Sequence, residues 1–168
     1  MSTAVAMESL PPLKKPGIKS LSFNSLMLTQ WLTSVNDNIF RWLVIGIGKD
    51  YVDPGDWGNI LMVGSAVFLL PYLLLASPAG WLADRFSKVN VIIGCKIAEI
   101  AVMGLGVIAI AIGNIPLLLI TVGLMGAQSA LFSPAKVATI PDLVEDRELS
   151  AANGWFGLST VTATIIGM

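Results

Sequence analysis

The chain has 168 residues, of which 55% are hydrophobic and only 12% charged, with a net charge of −1, no histidine and one cysteine. A soluble domain carries about a quarter charged residues, so a water-soluble globule is excluded and the chain belongs in a membrane. The near-zero net charge argues for neither nucleic acid nor an acidic ligand, and the lone Cys95 removes disulfides and thiolate metal clusters.

In chain order, residues 1–22 contain Pro11, Pro12 and Pro16 but no apolar core, and they read as an uncleaved disordered tail. Windows of about 19 residues then find four apolar segments, each long enough to cross about 30 Å of hydrocarbon. They run over about 23–48, 58–83, 89–112 and 115–140, and a fifth begins near Gly154 and reaches Met168. Fifteen residues are too few to span. The reading is an all-α polytopic membrane protein, one truncated N-terminal bundle over 23–168, because an open strand edge in lipid leaves its amides unpaired.

The first helix carries the sharpest anomaly, the stretch WLTSVNDNIFRWLVIG from Trp31 to Gly46. Over the whole segment 23–48, eleven Leu, Ile, Phe and Val residues favour insertion by roughly 5 kcal/mol in all, whereas a central Asp and Arg cost roughly 6 kcal/mol together. At 100° per residue, Gln30, Thr33, Ser34, Asp37 and Arg41 fall within about 100° of one another. Such a stripe faces protein or water, not lipid. Two readings follow: an Asp37–Arg41 pair at i, i+4 that neutralises itself, or the lining of a polar pathway, to which Gln30, Asp37, Asn38 and Arg41 are then assigned.

The second informative stretch, PAGWLADRFSK, ends the second helix. Gly80 removes a side chain where that helix can approach a neighbour, and Asp84 stands at the helix boundary with Arg85 and Lys88 beside it, a breakable latch. Lys14, Lys15, Lys19, Arg85, Lys88 and Arg147 fall on one side of the membrane and only Lys49 on the other. The positive-inside rule makes the N-terminus cytoplasmic. Trp57 and Trp81 are the best-placed interfacial anchors. On helix three, Lys96 and Glu99 at i, i+3 read as a local salt bridge, with Lys96 snorkelling towards the cytoplasm. Helix four groups Thr121, Gln128, Ser129, Lys136 and Thr139 within about 100°, with Pro134 as a kink; Lys136 either snorkels or serves a site.

The run Gly80-x-Leu82-Ala83-Asp84-Arg85-x-x-Lys88 resembles the loop signature of the major facilitator superfamily, with Ser87 in place of the usual glycine and Val89 where a second basic residue is common. TQWLTSVNDNIFRW, GAQSALFSPAKVATIPDLV and LSAANGW narrow the likeness to its bacterial lysophospholipid transporter branch, some members of which are fused to acyltransferase and acyl-carrier ligase domains. The resemblance implies twelve helices in two bundles, helices one and four lining a cavity, a cavity-facing Lys136 suited to a phosphodiester, and Gly80, Asp84, Arg85 and Lys88 as a cytoplasmic gate.

The expectation is therefore a secondary transporter that moves lysophospholipid across the bacterial inner membrane, with Gln128 and Lys136 joining the helix-one residues along the pathway. Its partners are the bilayer, the amphipathic substrate and acyltransferase or ligase domains further along the full-length chain. No cofactor, metal or nucleic acid is called for. The alternatives are a proton-coupled exporter of small amphipathic solutes, with Asp37 carrying the proton, and a non-transporting scaffold for a lipid acyltransferase. An enzyme is disfavoured because no nucleophile and base pair is recognisable.

Overall fold

In a computed structural model, residues 15–168 are described; most of the expected tail, and Lys14 with it, lies outside them. Five long helices follow in order: α1 (Leu21–Lys49), α2 (Trp57–Arg85), α3 (Lys88–Ala111), α4 (Ile115–Leu143) and α5 (Leu149–Ile166), with short 3-10 turns at Pro54–Asp56 and Asp146–Glu148. Of these, α2 with its preceding turn, α3 and α4 are long and apolar enough to cross a membrane. The α1 helix is as long as α2, and its polar stripe is what lowers its hydropathy.

The ends of the helices follow from local chemistry. Ser20 caps α1 by accepting the Phe23 amide at 3.1 Å, one of the four amides a helix start leaves without an intrahelical partner. Residues 15–20 are fixed rather than tail-like, since the Gly17 amide donates to the Leu143 carbonyl at 2.8 Å and Lys15 pairs with Asp146 at 3.2 Å. The α3–α4 turn needs only Ile112, Gly113 and Asn114. Gly113 supplies the left-handed conformation, at φ 65°, which a β-carbon disfavours, and Asn114 caps α4 by accepting the Leu117 amide at 2.9 Å.

Two boundaries differ from the sequence reading. The α5 helix starts at Leu149, five residues before Gly154, because the Leu149-Ser-Ala-Ala run continues directly from the 3-10 turn. The connection expected over 84–88 is only Phe86 and Ser87; Asp84 and Arg85 belong to the last turn of α2.

The hub of the bundle is α4, half of whose apolar window is buried, against 11% for α2 and 17% for α3. It packs along α2 and α3 and against α1, while α5 packs on α1. One core cluster joins Phe40 and Val44 of α1 to Phe68, Ala109, Leu118, Val122 and Met125; a second, at the opposite end, joins Phe23 and Leu26 to Ile140, Val144 and Ala152. Close approach of α2 to α4 occurs at Gly126, where a Cβ would lie 2.2 Å from the Phe68 carbonyl oxygen. Gly80, expected to serve that role, has nothing within 4 Å of its Cβ position among the described residues: the faces of α2 and α4 that meet are set by the Phe68–Gly126 crossing, half a helix away.

Candidate functional site

The α1 stripe faces inward because α4 and α5 close over it. Gln30, Thr33 and Asp37 are all buried, and with Ser34, Asn38 and Arg41 they form one wall of a cavity of about 430 Å³. Phe68 and Tyr72 of α2, Ser129 and Lys136 of α4, and Phe156 and Thr160 of α5 supply the other walls.

Two hydrogen-bonded groups organise this cavity. In the first, the Lys136 ammonium donates to Gln30 Oε1 at 2.6 Å, and the Gln30 amide donates to Ser34 Oγ at 3.0 Å and Thr160 Oγ1 at 3.1 Å. The same ammonium sits 4.9 Å from the Phe132 ring centre and 5.5 Å from that of Phe156, distances at which ring quadrupoles attract a cation. Lys136 makes no ion pair among the described residues. An ammonium has three donors, so the Gln30 bond leaves capacity for an anionic oxygen.

In the second group, Ser129 Oγ donates to Asp37 Oδ2 at 2.6 Å, tying α4 to α1. Asp37 Oδ1 is buried without a hydrogen-bond partner among the described residues. Arg41 donates to Asn38 Oδ1 at 2.8 Å, and Asn38 donates to the Ser34 carbonyl at 2.7 Å. The guanidinium lies 5.3 Å from the Phe68 ring centre. The self-neutralising Asp37–Arg41 pair does not form: each side chain engages a different neighbour, and the two face one cavity without pairing.

Three sequence expectations require correction. Gln128 does not reach the cavity. Although adjacent to Ser129, it points towards α3 and lines a separate groove with Leu82, Val91 and Cys95, because consecutive helical residues diverge by 100°. The Lys96–Glu99 salt bridge expected at i, i+3 forms, but Lys96 does not snorkel towards the membrane surface: it also donates to Thr33, and Asn36 donates to the other Glu99 oxygen at 3.2 Å. A charged cluster thus knits α1 to α3, with the Lys96 ammonium 4.3 Å from the Phe132 ring centre. The latch is also composed differently. Asp84 is exposed and makes no ion pair among the described residues, and Arg85 stacks on Trp81, 5.8 Å from the ring centre. Lys88 instead donates to Asp142 at 2.6 Å and to the Ala138 carbonyl at 2.9 Å, so the α2–α3 turn is fastened to the end of α4. A basic group there also complements the negative helix C-terminus.

Sequence reasoning missed Thr160, Tyr72, Phe156 and Asp142. Thr160 and Thr164 share one face at i, i+4, and Tyr72 is a polar tip inside an otherwise apolar helix, signals that were available. Asp142 carries no local signal of its pairing 54 residues away.

The family model described as Major Facilitator Superfamily matches residues 26–168. A lysophospholipid transporter LplT from Pectobacterium carotovorum subsp. carotovorum is 31% identical over 149 residues, covering 88% of this chain and 34% of that protein. The protein of the same name from Photorhabdus laumondii is 30% identical over 162 residues, covering 96% and 37%. That from Serratia proteamaculans is 29% identical over 148 residues, covering 88% and 35%. The chain spans about a third of the length of the curated relatives it matches. No solved structure matches it.

Proposed function

From the premise that this multi-pass membrane chain belongs to the Major Facilitator Superfamily, we propose that it forms the N-terminal bundle of a secondary transporter that moves lysophospholipids across the bacterial inner membrane by alternating access. The observation that carries the reading is the Lys136 ammonium on the wall of the cavity, held by Gln30 and two aromatic rings and without a carboxylate partner among the described residues. A phosphodiester is the complementary headgroup, since charge-assisted hydrogen bonds to phosphate oxygens are about twice as strong as neutral ones. Phe68, Tyr72 and Phe156 offer apolar surface beside it for the start of an acyl chain.

In this reading Gln30 positions Lys136, while Asp37, Asn38 and Arg41 bind or gate near the midplane, where transporters of this architecture hold their cargo. Ser129 couples Asp37 to α4, so a shift of α1 against α4 must exchange that bond. Of the Gly80, Asp84, Arg85 and Lys88 signature, Lys88 provides the fastening at one end through Asp142. That end also carries Lys15, Lys19, Arg85 and Arg147, and Lys49 stands at the other; the positive-inside rule then makes it the cytoplasmic end. The reading is transport, not catalysis. Lysophospholipid delivered to the cytoplasmic face is what an acyltransferase consumes, so such a domain, on the same chain or a separate one, is the partner it calls for.

A second reading, a proton-coupled exporter of amphipathic solutes, draws on Asp37 Oδ1, which has no hydrogen-bond partner among the described residues. Asp37→Asn separates the two: it preserves shape but cannot cycle a proton, so an exporter loses movement driven by a pH gradient while keeping substrate binding. The test of the main reading is equilibrium binding to the chain in lipid nanodiscs. Lysophosphatidylethanolamine should bind saturably, and a monoacylglycerol with the same acyl chain at least tenfold more weakly. Equal binding of the two removes the phosphate from the argument and the proposal with it.

A further inference from the structure

At the end of the bundle where both helices begin, α1 and α5 flank a groove of about 410 Å³, within the range of about 300–1,000 Å³ typical of small-molecule sites. Phe23 and Met27, one turn apart on α1, form its apolar side together with Trp155 of α5, and Ser159 stands one turn beyond Trp155. Ile18 and Lys19 precede the first turn of α1 and Asn24 lies within it, so the charged group stands at the outer end. Lys19 and Asn24 are both exposed, and Trp155 is 55% exposed, so a ligand can reach all three.

Lys19 differs from the other cations at this end. Lys15 pairs with Asp146, Lys88 with Asp142 and Arg147 with Glu145, and Arg85 stacks on Trp81, whereas Lys19 has neither a carboxylate nor a ring partner among the described residues. No carboxylate lines the groove; Glu148 lies against Gly17, outside the lining. The single charge that the groove presents is positive, so its complement is an anion. An exposed indole near a helix end belongs to the interfacial layer of a bilayer, and inward of the ammonium the Phe23–Met27 surface covers about 6 Å of helix rise. A free anion makes no use of that surface; a lipid phosphate with a chain attached uses both parts.

We infer that the groove between α1 and α5 is a binding site for an anionic glycerophospholipid of the adjoining bilayer leaflet, with its phosphodiester on Lys19 and the start of one acyl chain along Phe23, Met27 and Trp155. Asn24 and Ser159 lie inward of the phosphate, where the glycerol ester oxygens accept from an amide and a hydroxyl. A zwitterionic headgroup fits less well, because its ammonium finds no carboxylate in the lining and stands beside Lys19. The site shares no residue with the cavity and holds a resident membrane lipid, whatever the cavity carries. It also bears on the same helix: Trp155 and Ser159 alternate along α5 with Phe156 and Thr160, which line the cavity, so a lipid in the groove braces the helix whose other face closes the cavity.

The test uses phosphatidylglycerol carrying a diazirine near the ester end of one acyl chain, and phosphatidylcholine with the same diazirine, each photolysed as a trace component of phosphatidylcholine nanodiscs containing the chain, with labelled residues located by mass spectrometry. Labelling by the phosphatidylglycerol probe should concentrate at Met27, Trp155 and Ser159, should saturate as unlabelled phosphatidylglycerol is added, and should exceed labelling by the phosphatidylcholine probe about fivefold, the worth of one basic residue near a membrane surface. Lys19→Gln changes an exposed side chain, so the fold is retained, and it should make the two probes label the groove equally. Lys15→Gln removes the same charge from the same end and should leave the preference in place, as should Lys136→Gln in the cavity. The inference is overturned by labelling spread evenly over the lipid-facing surfaces of α2 and α3, by equal labelling from the two headgroups on the unsubstituted chain, by a preference that Lys15→Gln removes as fully as Lys19→Gln, which would mark attraction to the basic end as a whole, or by a preference that follows Lys136.

Discussion

Replacing Lys136 by glutamine isolates the charge on the cavity wall. The substituted amide can still donate to Gln30 Oε1, now 2.6 Å from the ammonium, so the onward bonds from Gln30 to Ser34 and Thr160 need not rearrange. Removing a half-buried cation that has no carboxylate partner among the described residues also lightens a desolvation cost, so the bundle should insert and fold at least as well as before. What is lost is a charge-assisted hydrogen bond to phosphate, worth about 1.5–3 kcal/mol, which corresponds to a roughly 10- to 150-fold weaker Kd for lysophosphatidylethanolamine. The assay is a titration in nanodiscs, with the monoacylglycerol of equal chain length as the internal standard. Its affinity should change less than twofold, because it has no phosphate to lose. A loss of the same size for both ligands would mean that the substitution damaged the cavity generally, and an unchanged lysolipid Kd would refute the role of Lys136 outright.

Gly126→Ala should weaken the bundle by about 1–3 kcal/mol, as overpacking of a tight contact does, since its Cβ would stand 2.2 Å from backbone at Phe68. Gly80→Ala, with nothing within 4 Å of its Cβ position among the described residues, should change unfolding in mixed detergent by less than about 0.5 kcal/mol, and a reversed order would refute the assigned α2–α4 crossing. A double-mutant cycle on Lys88→Ala and Asp142→Ala should return a coupling below about 1 kcal/mol that declines with salt, because the Asp142 side chain is 58% exposed; a larger, salt-independent coupling would mean that this fastening is buried in the working protein. Cysteines placed at Ser20 and Ser87 should react with impermeant reagents only from the cytoplasm and one at Asp53 only from outside, and labelling of Ser87 from the periplasm would invert the topology.

The legible part of this protein was what helical periodicity encodes. Spacing alone placed Gln30, Thr33, Asp37 and Arg41 on one side of α1, and the break between the apolar segments 89–112 and 115–140 marked the α3–α4 connection. The rest depends on how one helix is turned against another, which no single segment specifies. Gln128 and Ser129 fell within one generous arc of α4, yet the packing of α3 against that helix sends one side chain into an apolar groove and the other to Asp37. Lys96 had a partner within its own helix in Glu99, and its further bond to Thr33 of α1 had no trace in local sequence. Gly80 looked like a contact glycine from sequence; only the crossing of α2 over α4 puts the close approach at Gly126 instead. The Lys88–Asp142 fastening joins residues whose proximity follows from the antiparallel return of α3 and α4.

The central claim is that this bundle moves a phosphate-bearing single-chain lipid by means of the cavity that Lys136 faces. Its most direct measurement is transbilayer movement of fluorescent lysophosphatidylethanolamine in vesicles containing this chain joined to the remaining two thirds of the Pectobacterium transporter. The account predicts movement well above that of empty vesicles, reduced at least tenfold by Lys136→Gln, with the monoacylglycerol not moved above background. Undiminished movement of lysophosphatidylethanolamine by the well-inserted Lys136→Gln protein would contradict it.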